Sequence, residues 1–353
     1  MSRVHVVLPG GVDDPARPSG GNAYDRRLIT GLVELGWSVQ EWPVSGDWPE
    51  PDDVAGAALT AVIAAIPDHS VVLVDGIIAS ASPEVLVPAS TRLRLVVLMH
   101  MPLGALPGDQ GRRARPSERD ALTAAVAVIT TSAWARTWLL AHYSLAGDVV
   151  VAEPGVDQAP VSPGTASASS LLCVAAVIPN KGHDVLIEAL TTLTDLDWTC
   201  LFVGTLQRDP AWVMRLQGQV SAAGLDSRIR FAGAHQAEQL AADYAGADVL
   251  VHPTRAETYG MVVTEALAHG LPVIASAVGG LPRTLGRASD GHRPGLLVRP
   301  DNPAALAAAL RCWLASPDLR QRLRSRALER RETLTNWHET SETVLSVLSR
   351  AAA

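Results

Sequence analysis

Short apolar runs rich in Val, Leu and Ile, bounded by Gly, Pro or Asp, alternate with stretches of helical spacing along the chain. RVHVVLP precedes a predicted helix over about 22–35, SVVLVDG a short helix near Pro83–Leu86, and LRLVVLMH a loop. AAVAVITTS enters a predicted helix over about 133–142, and DVVVAEPGVD closes the first half. Runs of this length and composition read as buried parallel strands. QAPVSPGTASASS, rich in Ser, Pro, Ala and Gly, reads as a linker. The pattern then restarts: LLCVAAVIP runs into a helix from Lys181, DWTCLFVGT into one over about 210–222, and IRFAGA into one over about 237–245. ADVLVHPT, LPVIASAVGG and GLLVRP are further strand-like runs. From Asn302 onward the pattern is helical, and DLRQRLRSRALERR reads as a solvated helix face.

Repeated strand–helix units imply doubly wound α/β sheets. Two such series joined by a linker predict two Rossmann-like domains facing a cleft, with functional loops at the carboxyl ends of the strands. The predicted boundaries are a first domain over 1–158, a linker over 159–170, a second domain over 171–333, and a C-terminal helix over 334–353 that packs back on the first domain.

Composition narrows the function. The 353 residues are 48% hydrophobic and 18% charged, which suits folded cores rather than disorder. A net charge of −7 argues against nucleic acid as the partner. The three cysteines, Cys173, Cys200 and Cys312, are scattered in apolar stretches, the usage of a reduced protein without a disulfide framework or zinc site. MSRVHVVLPGG reads as a strand and turn rather than a signal peptide. No apolar run approaches the roughly 18 residues of a membrane span. The expectation is a cytoplasmic protein. Lys181 is the only lysine among 29 basic residues, in a chain otherwise biased to arginine.

The segment RAETYGMVVTEALAHGLPVIAS carries two glutamates, Glu257 and Glu265, on either side of a predicted helix entrance. Thr258 is the predicted cap of a helix from Tyr259 to about His269, stopped by Gly270 and Pro272. Unpaired amides of Tyr259, Gly260, Met261 and Val262 would then form an anion site suited to a diphosphate, with Gly260 allowing close approach. Glu257 and Glu265 would flank that anion and accept hydrogen bonds from hydroxyls on its two sides, the layout of a sugar nucleotide. Taken singly, each glutamate also reads as an ordinary helix or helix-entrance residue.

ETYGMVVTEALAHGLPVIASAVGGLP resembles the E-x7-E motif of retaining family-4 glycosyltransferases of the GT-B fold. AVIPNKGHDVLIEAL is similar to the segment that opens their C-terminal domain, PGVD to the end of their N-terminal domain, and SGGNAYDRRLITGLVELGWSV to their glycine-rich first loop and helix. The resemblance thus covers nearly the whole chain. It implies that Glu265 binds the ribose hydroxyls, that Glu257 holds donor-sugar hydroxyls, and that Gly260, Met261 and Val262 supply amides to the diphosphate; Thr258 and Tyr259 join them as candidate donor contacts. It places Lys181 where an ammonium neutralises the departing diphosphate. Members commonly carry an arginine five residues before this lysine; here that position is Ala176, and Arg255 is a candidate substitute.

Gly20 and Gly21 follow the first strand and precede the predicted helix near Asn22, where backbone can approach a phosphate or the acceptor. No G-x-G-x-x-G follows that strand, which argues against a dinucleotide-dependent dehydrogenase. His100 ends a strand on the cleft side, and the resemblance gives it a contact with the donor sugar near the reacting carbon. Asp75 also ends a strand and reads equally as an acceptor contact or a turn cap. GDQGRRARPSERD reads as a basic loop in which Arg112, Arg113, Arg115 and Arg119 meet an anionic acceptor or only solvent. Asn22 and Tyr24 complete the candidate acceptor contacts with Asp75, Arg112 and Arg113.

The resemblance therefore implies a retaining transferase of a hexose-type sugar, from a nucleotide-diphosphate sugar (a UDP-sugar ahead of GDP-mannose) to a hydroxyl of a small molecule or glycan. The donor would lie on the second domain, and His100, Lys181 and Glu257 are the expected catalytic residues. No cofactor or metal is expected, since no Asp-x-Asp pair falls in a strand-end loop; a peripheral membrane contact remains open. Two other readings are a sugar-nucleotide epimerase or hydrolase of the same fold, and a non-catalytic nucleotide-sugar-binding protein, which the alanine at 176 favours.

Overall fold

The computed structural model describes residues 2–14, 19–145 and 147–353. It divides into two units, the first comprising 2–14, Ser19–Gly155 and Thr335–Ala353, the second Val156–Leu334.

The first unit is built on strands β1 (Arg3–Pro9), β2 (Ser38–Val44), β3 (Val71–Asp75), β4 (Arg94–Met99), β5 (Ala127–Thr130) and β6 (Asp148–Val151). They form one parallel sheet in the order β2-β1-β3-β4-β5-β6. All of β3 is buried, as expected of a central strand covered on both faces. The helices that follow in sequence are α1 (Gly20–Glu34), α2 (Asp53–Ala65), α3 (Gly76–Ala81), α4 (Pro83–Ala89), α5 (Gly108–Ala124) and α6 (Ala133–His142).

The second unit repeats the plan with β7 (Ser170–Val174), β8 (Thr199–Val203), β9 (Ile229–Gly233), β10 (Val249–His252), β11 (Val273–Ser276) and β12 (Gly295–Val298), parallel in the order β12-β11-β10-β7-β8-β9. Its helices are α7 (His183–Thr191), α8 (Pro210–Ala222), α9 (Ala237–Ala245), α10 (Met261–Ala268), α11 (Leu281–Leu285), α12 (Pro303–Ala315) and α13 (Pro317–Arg331). The last helix, α14 (Trp337–Ala352), belongs to the first unit. It buries Val344, Val347 and Leu348 against Leu28, Leu32, Leu73 and Val96, a stripe with the i, i+3, i+4 spacing of one helical face. Thr340 pins it by donating to the Glu153 carbonyl at 2.8 Å.

In both sheets the strand order reverses once, between β1 and β3 and between β7 and β10. Crossovers diverge at such a point, so the carboxyl ends of those strands leave a crevice for ligands.

Several local features differ from the sequence reading. β2 (SVQEWPV) escaped it because an edge strand carrying Gln40, Glu41 and Pro43 lacks the continuous apolar run of a central strand. α2, α3 and α5 escaped it as well. The supposed basic loop around 108–120 is the helix α5: Pro116 lies inside it, and buried Glu118, Ala121 and Leu122 supply the inward face. The arginines of α13 are not all solvated: Arg320 donates to the carbonyls of Trp313 and Leu314, Arg331 to that of Ala159 at 2.6 Å, and Arg326 pairs with Asp290. Within the linker, buried Ser162 donates to the Ala245 carbonyl at 2.8 Å, and Asp248 accepts from the Thr165 amide and hydroxyl. Low-complexity composition here disguises a segment anchored to the second unit. None of the described helices is long and apolar enough to cross a membrane.

Candidate active site

In the second unit the residues of interest flank the switch between β7 and β10. A single 3-10 turn, Pro179–Lys181, follows β7 and is fastened to the loop after β10. The Arg255 amide donates to the Asn180 carbonyl at 2.8 Å, the Thr254 hydroxyl to the same carbonyl at 3.1 Å, and the Asn180 side chain to the Ala256 carbonyl at 3.2 Å. This brings Lys181 Nζ to 2.7 Å from Glu257 Oε2, across 76 residues of chain.

Glu257 Oε2 also lies 3.3 Å from Nε2 of buried His252. Burial alone would raise the Glu257 pKa, but the charge of Lys181 and the His252 contact outweigh it and hold the carboxyl well below the usual range. Burial pulls His252 down despite its acidic neighbour, so it meets Glu257 as a neutral N–H donor. His252 was not singled out from the sequence; the strand VLVH gives no sign that its last side chain turns toward Glu257.

The entrance of α10 differs from the expected cap. Thr258 does not cap it; the helix begins at Met261 and its N-cap is Gly260 at φ +88°. The chain reverses through left-handed backbone there, which glycine tolerates and threonine does not. A Cβ at 260 would also stand 2.5 Å from Leu281 Cδ2. Among the described residues, the amides of Gly260, Met261 and Val262 donate no backbone hydrogen bond, as expected at a helix start. Tyr259 is buried.

Glu265, on the second turn of α10, accepts from the Tyr244 hydroxyl at 2.7 Å through Oε2. Tyr244 is 2% exposed and stacks on His269 with ring centroids 5.0 Å apart. Burial raises the Glu265 pKa, and the tyrosine bond opposes that rise. The sequence pattern shows Tyr244 only as an apolar position of α9. Removing its hydroxyl in Tyr244→Phe strands a carboxylate oxygen. The expected cost is about 1–3 kcal/mol of stability, seen as a lower Tm together with weaker nucleotide binding in calorimetry; an unchanged Tm and Kd would mean that the bond positions nothing.

Arg255 is not a free substitute for the cation missing at Ala176. Its guanidinium makes two bonds to Asp184, at 2.9 and 2.8 Å, and another to Asp301 at 2.8 Å.

In the first unit, Gly20 and Gly21 open α1 rather than precede it, because Ser19 is the cap, accepting from the Asn22 amide at 3.1 Å. Asn22 is half-buried. Tyr24 is a core residue rather than an acceptor contact: it is 1% exposed, donates to the Ala152 carbonyl, and packs edge-on against His100 and Trp337. One residue on, Asp25 places Oδ1 2.8 Å from His100 Nε2. Asp75 caps α3 by accepting from the Ile77 amide at 2.7 Å, and its Oδ2 stands 3.8 Å from the same nitrogen. Asp25, Asp75 and His100 thus converge at the β1/β3 switch, with donor atoms within 4.8 Å of one another. The 2.8 Å contact is that of a hydrogen bond; two ligands on a zinc-like ion at 2.0–2.1 Å in tetrahedral geometry would stand roughly 3.3 Å apart. Asp25 was missed because it follows the glycine pair inside a helix, where a lone aspartate reads as surface.

Arg112 and Arg113 lie exposed on α5, and Arg112 is paired with Asp109 on its own helix. Arg115 donates to the Gly104 carbonyl and Arg119 pairs with Asp120. Among the described residues, none of these arginines is hydrogen-bonded or ion-paired to Asp25, Asp75 or His100.

The family model for group 1 glycosyl transferases matches residues 166–330. D-inositol 3-phosphate glycosyltransferase 1 of Catenulispora acidiphila is 32% identical over 297 residues, spanning 75% of this chain and 69% of that protein. The chain belongs to the group 1 glycosyltransferases. The D-inositol 3-phosphate glycosyltransferase of Kineococcus radiotolerans is 33% identical over 226 residues, but this chain spans only about half of that relative, 52% of its length. In structure, sucrose-phosphate synthase from Thermosynechococcus elongatus superposes with a TM-score of 0.82 at 25% identity, covering 99% of each chain. Anabaena HepE, solved with UDP and glucose, gives 0.78 at 18% identity, covering 99% of this chain and 100% of that one. These likenesses, with two parallel six-stranded sheets flanked by helices, establish the GT-B fold for this group 1 chain.

Proposed function

We propose that the protein is a retaining, metal-independent glycosyltransferase of the family-4 type, moving a hexose-type sugar from a nucleotide-diphosphate sugar to a hydroxyl acceptor. The observation that carries this reading is the Lys181–Glu257 pair beside the open amides of Gly260, Met261 and Val262. A cation and a helix N-terminus favour a diphosphate, and a carboxylate on each side favours hydroxyls. In this reading Glu265 takes the ribose and Glu257 the sugar. The acceptor oxygen bonds to the anomeric carbon on the face from which the diphosphate leaves, and its proton passes to the departing phosphate oxygen. Lys181 and the amides stabilise the charge that builds there.

UDP is the first base to test, since HepE was solved with it, with GDP next. Inositol 3-phosphate and neutral polyols are the acceptors to compare, the former because the curated relatives are named for it. Thermal-shift measurements should show one nucleoside diphosphate raising Tm above the others, because a ligand of the native state stabilises it. With that base, UDP-glucose or GDP-mannose and an acceptor, proton NMR should show product with the donor's anomeric configuration, formed equally in EDTA. Inverted product, or dependence on added metal, would refute the mechanism. Donor hydrolysis without transfer would favour a hydrolase, and binding without turnover a non-catalytic protein.

A further inference from the structure

The Asp25–His100–Asp75 cluster raises a question of charge that the transferase reading leaves unanswered. Asp25 and Asp75 are 4% and 8% exposed, and each is within 4 Å of His100 Nε2. Two carboxylates taken from water beside one imidazole are costly unless protons or cations compensate them. Asp25 Oδ2 is buried and accepts no hydrogen bond from any described N–H or O–H. The adjacent carboxyl of Asp75 can satisfy it by carrying a proton. His100 can satisfy Oδ1 by donating Nε2–H at 2.8 Å. Nδ1 of His100 makes no bond among the described residues and is not a buried unpartnered atom, so it faces solvent.

We propose that Asp25 is a positioning residue that holds His100 in its doubly protonated form, with Nε2–H given to Asp25 and Nδ1–H turned outward to donate to an oxygen of a bound sugar. On this reading, which rests on the proposed glycosyltransferase function and on the donor-sugar contact that the resemblance implies for His100, the histidine is a fixed donor and not a general base. When Asp75 is protonated, Asp25, His100 and Asp75 together carry no net charge, the state that burial favours; Asp75 is raised to about 7.

The electrostatics point the same way. Burial pulls His100 down, yet the Asp25 carboxylate and its hydrogen bond outweigh that, Asp75 adding a smaller rise when it is ionised, and His100 is raised to about 9. Burial raises Asp75 above the usual carboxylate range, and the charge of Asp25 adds to the rise. Among the described residues, Tyr24 from α1, with its hydroxyl given to Ala152, and Thr131 after β5, whose hydroxyl donates to the His100 carbonyl at 3.2 Å, also pack on His100 and are uncharged. A raised histidine pKa means that the imidazolium state is full below the free value of about 6.5 and is lost only as pH rises through the raised value.

The test is a histidine NMR titration of the full chain, with His100 assigned from His100→Gln. In the wild type both ring nitrogens should be protonated at pH 7.5, with a midpoint near 9. Asp25→Asn should lower that midpoint by two units or more, on the order of a hundredfold in proton affinity, and Asp25→Glu should restore most of it. A wild-type midpoint near the free value, or no change in Asp25→Asn, overturns the proposal. The wild-type titration decides even where the asparagine variant fails to fold, and it does not depend on turnover. If transfer is observed, the basic limb of kcat/KM should move to lower pH in Asp25→Asn while activity below pH 6 survives. Equal loss at every pH would show a structural role only.

Discussion

Lys181→Ala is expected to lower kcat by roughly 10²- to 10³-fold, the usual effect of removing one group that stabilises transition-state charge. The chain has one lysine, and it sits where a 3-10 turn is fastened to the loop that carries Glu257. Arg255 cannot take its place, because its guanidinium is shared between Asp184 and Asp301. Among the described residues, the same substitution leaves Glu257, 15% exposed in its side chain, with only a neutral histidine as side-chain partner. A second consequence follows for stability. A carboxyl held below its unfolded pKa contributes stability that is fully present above that value, about 4.3, and is lost as pH falls through the folded one. In Lys181→Ala the main attractive charge is gone, so the folded pKa rises and acid unfolding should begin at a higher pH than in the wild type. Turnover within threefold of the wild type would refute the catalytic role, and an unshifted acid limb would refute the electrostatic one.

Gly280→Ala is expected to damage folding severely. Gly280 has ordinary helical backbone, φ −78° and ψ −18°, so conformational freedom is not the issue. A Cβ there would stand 2.0 Å from the Thr258 carbonyl oxygen, and the Gly280 amide donates to the Glu257 carbonyl at 3.1 Å. The obstacle is backbone, which cannot rotate away as a side chain can. Overpacking costs typically 1–3 kcal/mol and occasionally more; against a carbonyl the expected loss is about 3 kcal/mol, a Tm fall of roughly 6–12 °C for a domain of this size. Residual folded protein should bind nucleoside diphosphate poorly, because the loop displaced is the one that carries Glu257 and Thr258. Gly56→Ala is the control: a Cβ there meets nothing within 4 Å, on a helix, and should leave Tm unchanged or slightly higher. If both variants melt alike, the close approach at Gly280 is not a constraint.

Much of this site could be read one residue at a time, and the gaps have a common cause. Lys181, Glu257 and Glu265 announce themselves through local pattern: a lone lysine after a strand, and two carboxylates around a glycine before a helix. Their partners do not. Tyr244 and His252 look like apolar filling of a helix and a strand, and Asp25 like a surface residue of α1, because what matters in each is a contact with a side chain 21, 5 and 75 positions away. The cap was misread for a related reason. Thr258 has the right chemistry for an N-cap, but the loop packs against Gly280, and the left-handed turn at Gly260 moves the helix start by two residues. Arg112 and Arg113 show a different gap: the run read as a loop is a helix, and Arg112 is paired with Asp109 on it.

The sequence by itself determined the two α/β halves, most strand and helix positions in the second half, and the residues whose chemistry suits a diphosphate. Those depend on apolar period, turn residues and short-range spacing, which are local properties of the chain. Only the tertiary structure decided the charge and orientation of the site. It joined Lys181 to Glu257, gave Glu265 a tyrosine, engaged Arg255 elsewhere, and brought two buried aspartates to one nitrogen of His100. Protonation and hydrogen bonding depend on which groups meet after the crossovers bring distant strand ends together, and on how far burial removes them from water.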